Sequence, residues 1–431
     1  MILSTARRRR RRLARPRTPQ IEGHTIREYK GIVTGEMKKF VFSITLLFAA
    51  VFAVAQPVAR VTDLSMKSQY FNHERQVLIY TPEGYDEYDA TDFDVIYVFD
   101  SQDRSKFDFV HCALDLACTD DTDESKRFII VGICSPNLPD IDYYRNTDYL
   151  PMPIHESAKG KGLFKSQQGY GRSGDLKKFL KNELMPYIDK NYRTSGRTIG
   201  IGHSLSASFV LDCMVTDDLF DDYIAMSPNC YFDEFRVASG IEQYPFKSLT
   251  KPRFIYTSMA NEIGSKRSDW GEDWTQGWQR VSTFLSNRSN FANGTIASVQ
   301  TFPDYDHNPS FVPSLTEALR EYLQFSTSLL QQYTSQETYP IHFELKGKDL
   351  KGDVYITGNQ EALANWNPKG VKMKQQSDGT YVIDLQLHLP AYFKFTQGDW
   401  DHQLYMENAM PGNLVIYKPQ PATRIYYPYE D

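Results

Sequence analysis

Two patterns of apolar and polar positions follow one another along this chain. Between residues 75 and 325, short unbroken apolar runs alternate with stretches of helical period. Arg75-Gln-Val-Leu-Ile-Tyr-Thr-Pro82 alternates and stops at proline, which predicts an edge strand. Phe93–Asp100 and Arg127–Cys134 are continuous apolar runs, as expected of central parallel strands covered on both faces. Phe107–Ala117 fits a covering helix between them, and Gly174–Asn191 a long amphipathic helix with Leu176, Phe179, Leu180, Leu184 and Ile188 on one stripe. Further strands are expected at Arg197–Ile201, Tyr223–Ser227, Pro252–Met259 and Ile296–Phe302, with helices at Ala207–Met214, Trp278–Leu285 and Leu315–Tyr322. Strands alternating with helices predict a mainly parallel sheet in an α/β domain.

From Ile341 on, the second pattern takes over. Ile341–Leu345, Asp353–Thr357, Thr380–Leu387, Tyr392–Thr396 and Asn413–Tyr417 are short alternating segments with turn residues between them and no helical period. They predict a small all-β sandwich. Residues 329–340 are expected to link the two domains.

The residues before 56 belong to neither pattern. Arg7–Arg12 is an unbroken arginine run, and residues 1–36 read as an upstream extension outside the working protein. Met37-Lys-Lys, the apolar run Phe40–Val54 and the small residues Ala53-Val-Ala55 predict a secretory signal peptide cut after Ala55. Its apolar run is too short to span a bilayer, and Gln56 after the cut supplies no lipid-anchor cysteine. An exported location and no membrane anchor are therefore expected. Removing residues 1–55, with their 12 Lys+Arg and 3 Glu, takes the net charge from −6 to −15. Such a surface argues against nucleic-acid partners. Five cysteines (112, 118, 134, 213, 230) show no metal-ligand spacing, and one disulfide at most is expected.

The chemistry concentrates where loops leave the carboxyl ends of the strands. Gly202-His-Ser204-Leu-Ser206 sits between a predicted strand and a predicted helix, the setting of a nucleophilic serine on a tight turn. A serine needs a base to take its proton and a carboxylate to orient that base. In the order Ser, acid, His, Glu262 follows the strand ending near Ser258, and His307 follows the last strand. Glu272 and Asp273 are rivals for the acid, while His203 is expected to point elsewhere. An oxyanion would be met by backbone N–H groups, one from Leu205 and one from Ser101 or Gln102, each contributing about 3–4 kcal/mol to the transition state.

Phe93–Gln102, Asn182–Arg193, Gly202–Ser206, Ser227-Pro228 and His307 together resemble the "putative esterase" family of α/β-hydrolases, which includes enterochelin, feruloyl and acetyl xylan esterases. The resemblance spans roughly residues 65–325. It implies serine carboxylesterase activity with no metal or cofactor, and a substrate contact at Arg145. The family usually has two glycines where this chain has Ser206-Ala207. The tail resembles a starch-binding type of carbohydrate-binding module, carried by Val354–Gly358, Leu363–Pro368 and Tyr392–Phe395. That likeness implies a sugar-stacking site of Trp366, Lys394 and Trp400. The expected function is an exported esterase releasing feruloyl or acetyl groups from polysaccharide. The alternatives are a siderophore (enterochelin-type) esterase, disfavoured by charge, and a non-catalytic glycan-binding protein.

Overall fold

The computed structural model describes residues 59–117, 126–159, 171–262, 272–292, 294–348, 350–419 and 423–429. The expected extension, signal peptide and cleavage site lie outside them, as does Cys118. An eight-stranded sheet forms the first part: β1 (Arg60–Met66), β2 (Arg75–Thr81), β3 (Phe93–Phe99), β4 (Phe128–Ile133), β5 (Thr194–His203), β6 (Asp222–Met226), β7 (Phe254–Ala260) and β8 (Ile296–Phe302), in the order β1-β2-β4-β3-β5-β6-β7-β8. From β4 to β8 every pairing is parallel, while β1 and β2 pair antiparallel with their neighbours. All seven residues of β3 and all six of β4 are buried, as their unbroken apolar runs require.

Helices cover both faces. They are α1 (Arg104–Ala117), the short α2 (Arg145–Tyr149), α3 (Ser173–Phe179), α4 (Met185–Asn191), α5 (Leu205–Asp217), α6 (Phe232–Gln243), α7 (Glu272–Ser286) and α8 (Phe311–Gln324). Two apolar clusters flank the sheet, one including Phe99, Phe179, Leu184 and Phe209, the other Ile96, Val98, Leu315 and Tyr322.

Two local expectations are corrected, and two elements had no expectation. Arg75–Thr81 is not an edge strand. β1 pairs along its outer side from Arg60↔Thr81 to Met66↔Arg75, and β1 was missed because its exposed, polar pattern carries little periodic signal. The expected single helix 174–191 is divided by a π turn, Leu180–Leu184. Pro186 has no N–H to give and would crowd the carbonyl four residues back, so the widened turn accommodates it. Helix α6 was missed because it opens with Asp233, Glu234 and Phe235 at positive φ, which breaks the period.

The tail is all β, two sheets of short strands. The strands are β9 (Thr338–Leu345), β10 (Tyr355–Gly358), β11 (Val371–Lys372), β12 (Lys374–Gln375), β13 (Tyr381–His388), β14 (Ala391–Thr396), β15 (Gln403–Leu404), β16 (Leu414–Ile416) and β17 (Arg424–Tyr426). One sheet has the order β11-β10-β14-β15, with β16 also on β14. The other has the order β12-β13-β9-β17. Phe343, Leu345, Ile356, Leu363, Phe393, Phe395 and Tyr426 fill the space between the sheets. Among the described residues the cysteines at 112, 134, 213 and 230 are free, and no helix is long and apolar enough to cross a membrane.

Candidate active site

Strand β5 ends at His203, and helix α5 begins at Leu205, so one residue makes the turn. That residue, Ser204, has φ 64° and ψ −126°, a backbone region that costs about 1–3 kcal/mol and persists only where its surroundings enforce it. Its N–H donates to Met226 O (2.9 Å), and its carbonyl accepts from Ser208 N (3.2 Å). The turn is tight enough that a Cβ on Gly202 would lie 2.5 Å from the carbonyl carbon and oxygen of Ser206. Glycine is therefore required at 202.

Ser206, where glycine is usual, is fully buried and put to use. Its hydroxyl accepts from His203 N (2.9 Å) and lies 2.7 Å from Asp100 Oδ2. Asp100 follows the last residue of β3 and has φ 63°. Its carboxylate also accepts from Arg145 Nε (2.5 Å) and Nη2 (2.6 Å), and from Gln102 Nε2 (3.3 Å). Burial would raise the pKa of Asp100, but the Arg145 guanidinium, with Ser206, holds it below the usual carboxylate value. Arg145 also donates to His203 O (3.3 Å). The arginine expected to touch substrate thus has its guanidinium engaged in an internal clamp between the ends of β3 and β5.

The two candidate oxyanion positions after β3 differ. Ser101 N–H donates to Ile133 O (3.0 Å), so the expectation for Ser101 is corrected: its amide is spent inside the sheet. The backbone N–H groups of Gln102 and Leu205 have no acceptor among the described residues. The Gln102 side chain is pinned from both ends, donating to Asp100 and accepting from Ser135 N (2.9 Å).

Glu262 follows β7 and His307 follows β8, both at the carboxyl end of the sheet. Both are buried, Glu262 fully so, and His307 Nδ1 lies 3.0 and 2.9 Å from the two Glu262 carboxylate oxygens. The rival acids, Glu272 and Asp273, sit exposed in the first turn of α7. His203 corrects an expectation, because it does not point away from this group. Its Nε2 is 3.0 Å from His307 O, and the two rings lie 4.9 Å apart. Burial first, then the charges of His307 and Lys106, lower its pKa to about 3, so it stays neutral and acts as a donor to that carbonyl. The carbonyl also accepts from Ser310 Oγ (2.7 Å). The Trp274 ring stands edge-on to His307 (5.7 Å) and tilted to Tyr231 (6.2 Å), an aromatic wall that no motif announced.

In the tail, the three expected sugar contacts are distributed differently. Lys394 projects from the face of β14 opposite its core-facing neighbours Phe393 and Phe395. With Gln403, Tyr405 and Tyr429 it lines a depression of about 50 Å³. Trp400 is exposed in the turn between β14 and β15, outside that depression. Trp366 is half-buried with φ 63°. Tyr405 and Tyr429 face each other across a short ladder, Tyr429 N donating to Tyr405 O (2.8 Å), and both are more than half exposed. Sequence reasoning missed this tyrosine pair because it depends on which segment pairs with the last strand.

Residues 68–338 match the family model described as "Putative esterase", and residues 338–414 match the model described as "Starch binding domain". No curated protein matches the chain. Among solved structures, an IroE-like serine hydrolase from Shewanella oneidensis is 21% identical, with a TM-score of 0.50 over 62% of this chain and 80% of that one. The siderophore hydrolase EstA from Aspergillus nidulans is 16% identical, with a TM-score of 0.49 over 70% and 100%. The BES protein from Bacillus cereus is 19% identical, with a TM-score of 0.49 over 69% and 98%.

Proposed function

This chain belongs to the "Putative esterase" family and is a carboxylic ester hydrolase, and on that premise we propose Ser204, His307 and Glu262 as its catalytic triad. In this reading Ser204 Oγ attacks the acyl carbonyl while His307 Nε2 takes its proton. Glu262 accepts from Nδ1–H, holds that tautomer and stabilises the imidazolium. The oxyanion forms against the N–H groups of Leu205 and Gln102. His307 then gives its proton to the departing alkoxide, and the alcohol leaves. Water, deprotonated by His307, attacks the acyl-serine, and the acid departs with Ser204 restored. No step calls for a metal or cofactor.

The observation that carries this reading is the contact of both Glu262 oxygens with His307 Nδ1, at the same end of the sheet as the strained Ser204. Ser204→Ala should abolish hydrolysis of p-nitrophenyl acetate and labelling by a fluorophosphonate while the fold stays intact. Retained turnover would refute the assignment.

For substrate, the reading is an acyl ester, feruloyl or acetyl, met on polysaccharide by an exported enzyme. The starch-binding match of residues 338–414 supports a glucan ligand for the tail. Lys394, Tyr405 and Tyr429 supply what such a ligand needs: exposed rings for the apolar sugar faces and polar groups to fix orientation. Trp366 and Trp400 are the further aromatic candidates. Export follows from the signal peptide expected at 37–55, and N-terminal sequencing of the exported protein should begin at Gln56.

A further inference from the structure

Resting on the reading above, the geometry points to a division of labour: we propose that the glucan held by the tail is an anchor, and that the ester Ser204 cleaves lies outside the sugar residues the tail binds.

The argument starts from where the tail is fastened. Strands β3 and β5 run parallel. Their carboxyl ends carry Asp100 and Ser204, and the other proposed catalytic groups follow β7 and β8 at that same edge. The tail meets their amino ends. Asn408 donates to Asp89 (2.8 Å) and accepts from Ala90 N (2.9 Å). Met410 N donates to Thr91 Oγ1 (2.9 Å). Arg424 donates to Ala90 O (3.0 Å) and pairs with Asp92 (2.9 Å). Lys418 reaches Thr194, the first residue of β5, at 3.2 Å.

This attachment is a packed interface and not a tether. Asp92 and Arg424 are nearly buried as a pair. Met410 joins the apolar core of the esterase domain, and Ala90 joins that of the tail. Tyr392 and Tyr417 of the tail line a shared pocket with Phe93 and Asp94 of the esterase domain. A loose hinge would leave these groups to water, so the tail holds one orientation.

Distance follows from strand geometry. Seven residue steps separate the interface at Phe93 from the site at Asp100, about 23 Å at ~3.3 Å per residue. The sugar face lies beyond the interface. Lys394 and Tyr392 share one face of β14, and the depression at Lys394 shares Met410, Pro411 and Leu414 with the interdomain pocket. A sugar stacked there sits at the amino-end side of the sheet, with the depth of the domain between it and Ser204. The tail therefore does not present its own bound sugar residues for deacylation.

Competition on the full-length protein tests this. β-Cyclodextrin, a soluble cyclic α-glucan, should release the protein from insoluble starch. At that same concentration kcat and KM for an acetylated malto-oligosaccharide and for p-nitrophenyl acetate should stay within twofold. A tenfold rise in KM for the oligosaccharide alone would mean that the tail captures the ester-bearing sugar, which overturns the proposal. A rise shared by both esters would put glucan at the mouth of the serine site and overturn it equally. Absence of retention on starch removes the anchor and also overturns it. Failure of the triad reading looks different: Ser204→Ala would keep its turnover whatever β-cyclodextrin does.

Discussion

Replacing Arg145 with glutamine tests the clamp beneath the proposed oxyanion site. Asp100 is 1% exposed and depends on Arg145 for its only ionic partner among the described residues, through two hydrogen bonds of 2.5 and 2.6 Å. Arg145→Gln leaves a buried carboxylate with only neutral donors, Ser206 and the Gln102 side chain. Breaking a buried pair from one side costs about 3–5 kcal/mol. The Arg145 side chain is one-third exposed, so water shares its charge and the low end, about 3 kcal/mol, applies. The pH dependence carries a sign. In the wild type the Asp100 pKa is lowered, so its contribution is present above the ordinary carboxylate value of 3.8 and is lost as pH falls through the folded value. In the variant burial, which raises that pKa, is opposed only by Ser206 and the more distant Lys106 charge, so the charged form becomes costly. The stability gap between the two proteins should therefore be widest at pH 8 and narrow toward pH 4. Activity should fall too, because Asp100 anchors the turn carrying the Gln102 amide. Complete loss of one oxyanion donor costs about 10²–10³-fold in kcat, so a displaced donor should cost about tenfold or more. Urea unfolding at pH 8, 6 and 4, with kcat on p-nitrophenyl acetate, measures both effects. A gap below 1 kcal/mol at pH 8 with kcat within twofold would refute the clamp.

Three further perturbations address the same site. Glu262→Gln should lower kcat by about 10³-fold or more with little change in KM, because a neutral amide neither fixes the His307 tautomer nor stabilises its cation; steady-state kinetics on the folded variant checks this. Gly202→Ala should cost about 2 kcal/mol or more and most of the activity, since its Cβ meets backbone at 2.5 Å and that backbone is the elbow itself; thermal unfolding and kcat together decide it. His203, neutral down to about pH 3 when folded, takes up its proton near pH 6.5 when unfolded, so stability should decline by up to about 1.4 kcal/mol per pH unit as pH falls through that interval. His203→Gln should flatten the slope between pH 6.5 and 4 in urea titrations, and an unchanged slope would show that His203 titrates freely.

Much of the framework was legible in the chain itself. Runs such as Phe93–Phe99 and Phe128–Ile133 admit one placement, in the middle of a parallel sheet, because such strands have no solvent face on which to carry polar residues. Gly202-His-Ser-Leu-Ser206 announced a turn between strand and helix. The change of period after residue 340 announced an all-β tail. These are local signals, carried by neighbours a few residues apart. β1 and α6 escaped notice for the same reason, since one is too polar and the other too irregular to carry a period.

Tertiary structure decided everything that depends on residues far apart in sequence. Only folding could show that the Ser206 hydroxyl, 106 positions from Asp100, fills a place usually left to glycine and ties the elbow to the strand beside it. Only the sheet hydrogen bonding could take the Ser101 amide out of contention and leave that of Gln102. Burial against His307 is what sets the proposed acid, Glu262, apart from the exposed Glu272 and Asp273, and His203 turns toward that group through the carbonyl it faces. The end of the sheet to which the tail is fastened was likewise invisible in sequence, since Asp92 and Arg424 lie 332 residues apart. Residue types and periods set which elements form, because those depend on nearest neighbours. Which groups meet, and how far the tail lies from Ser204, depends on strand order and packing, which no local pattern encodes.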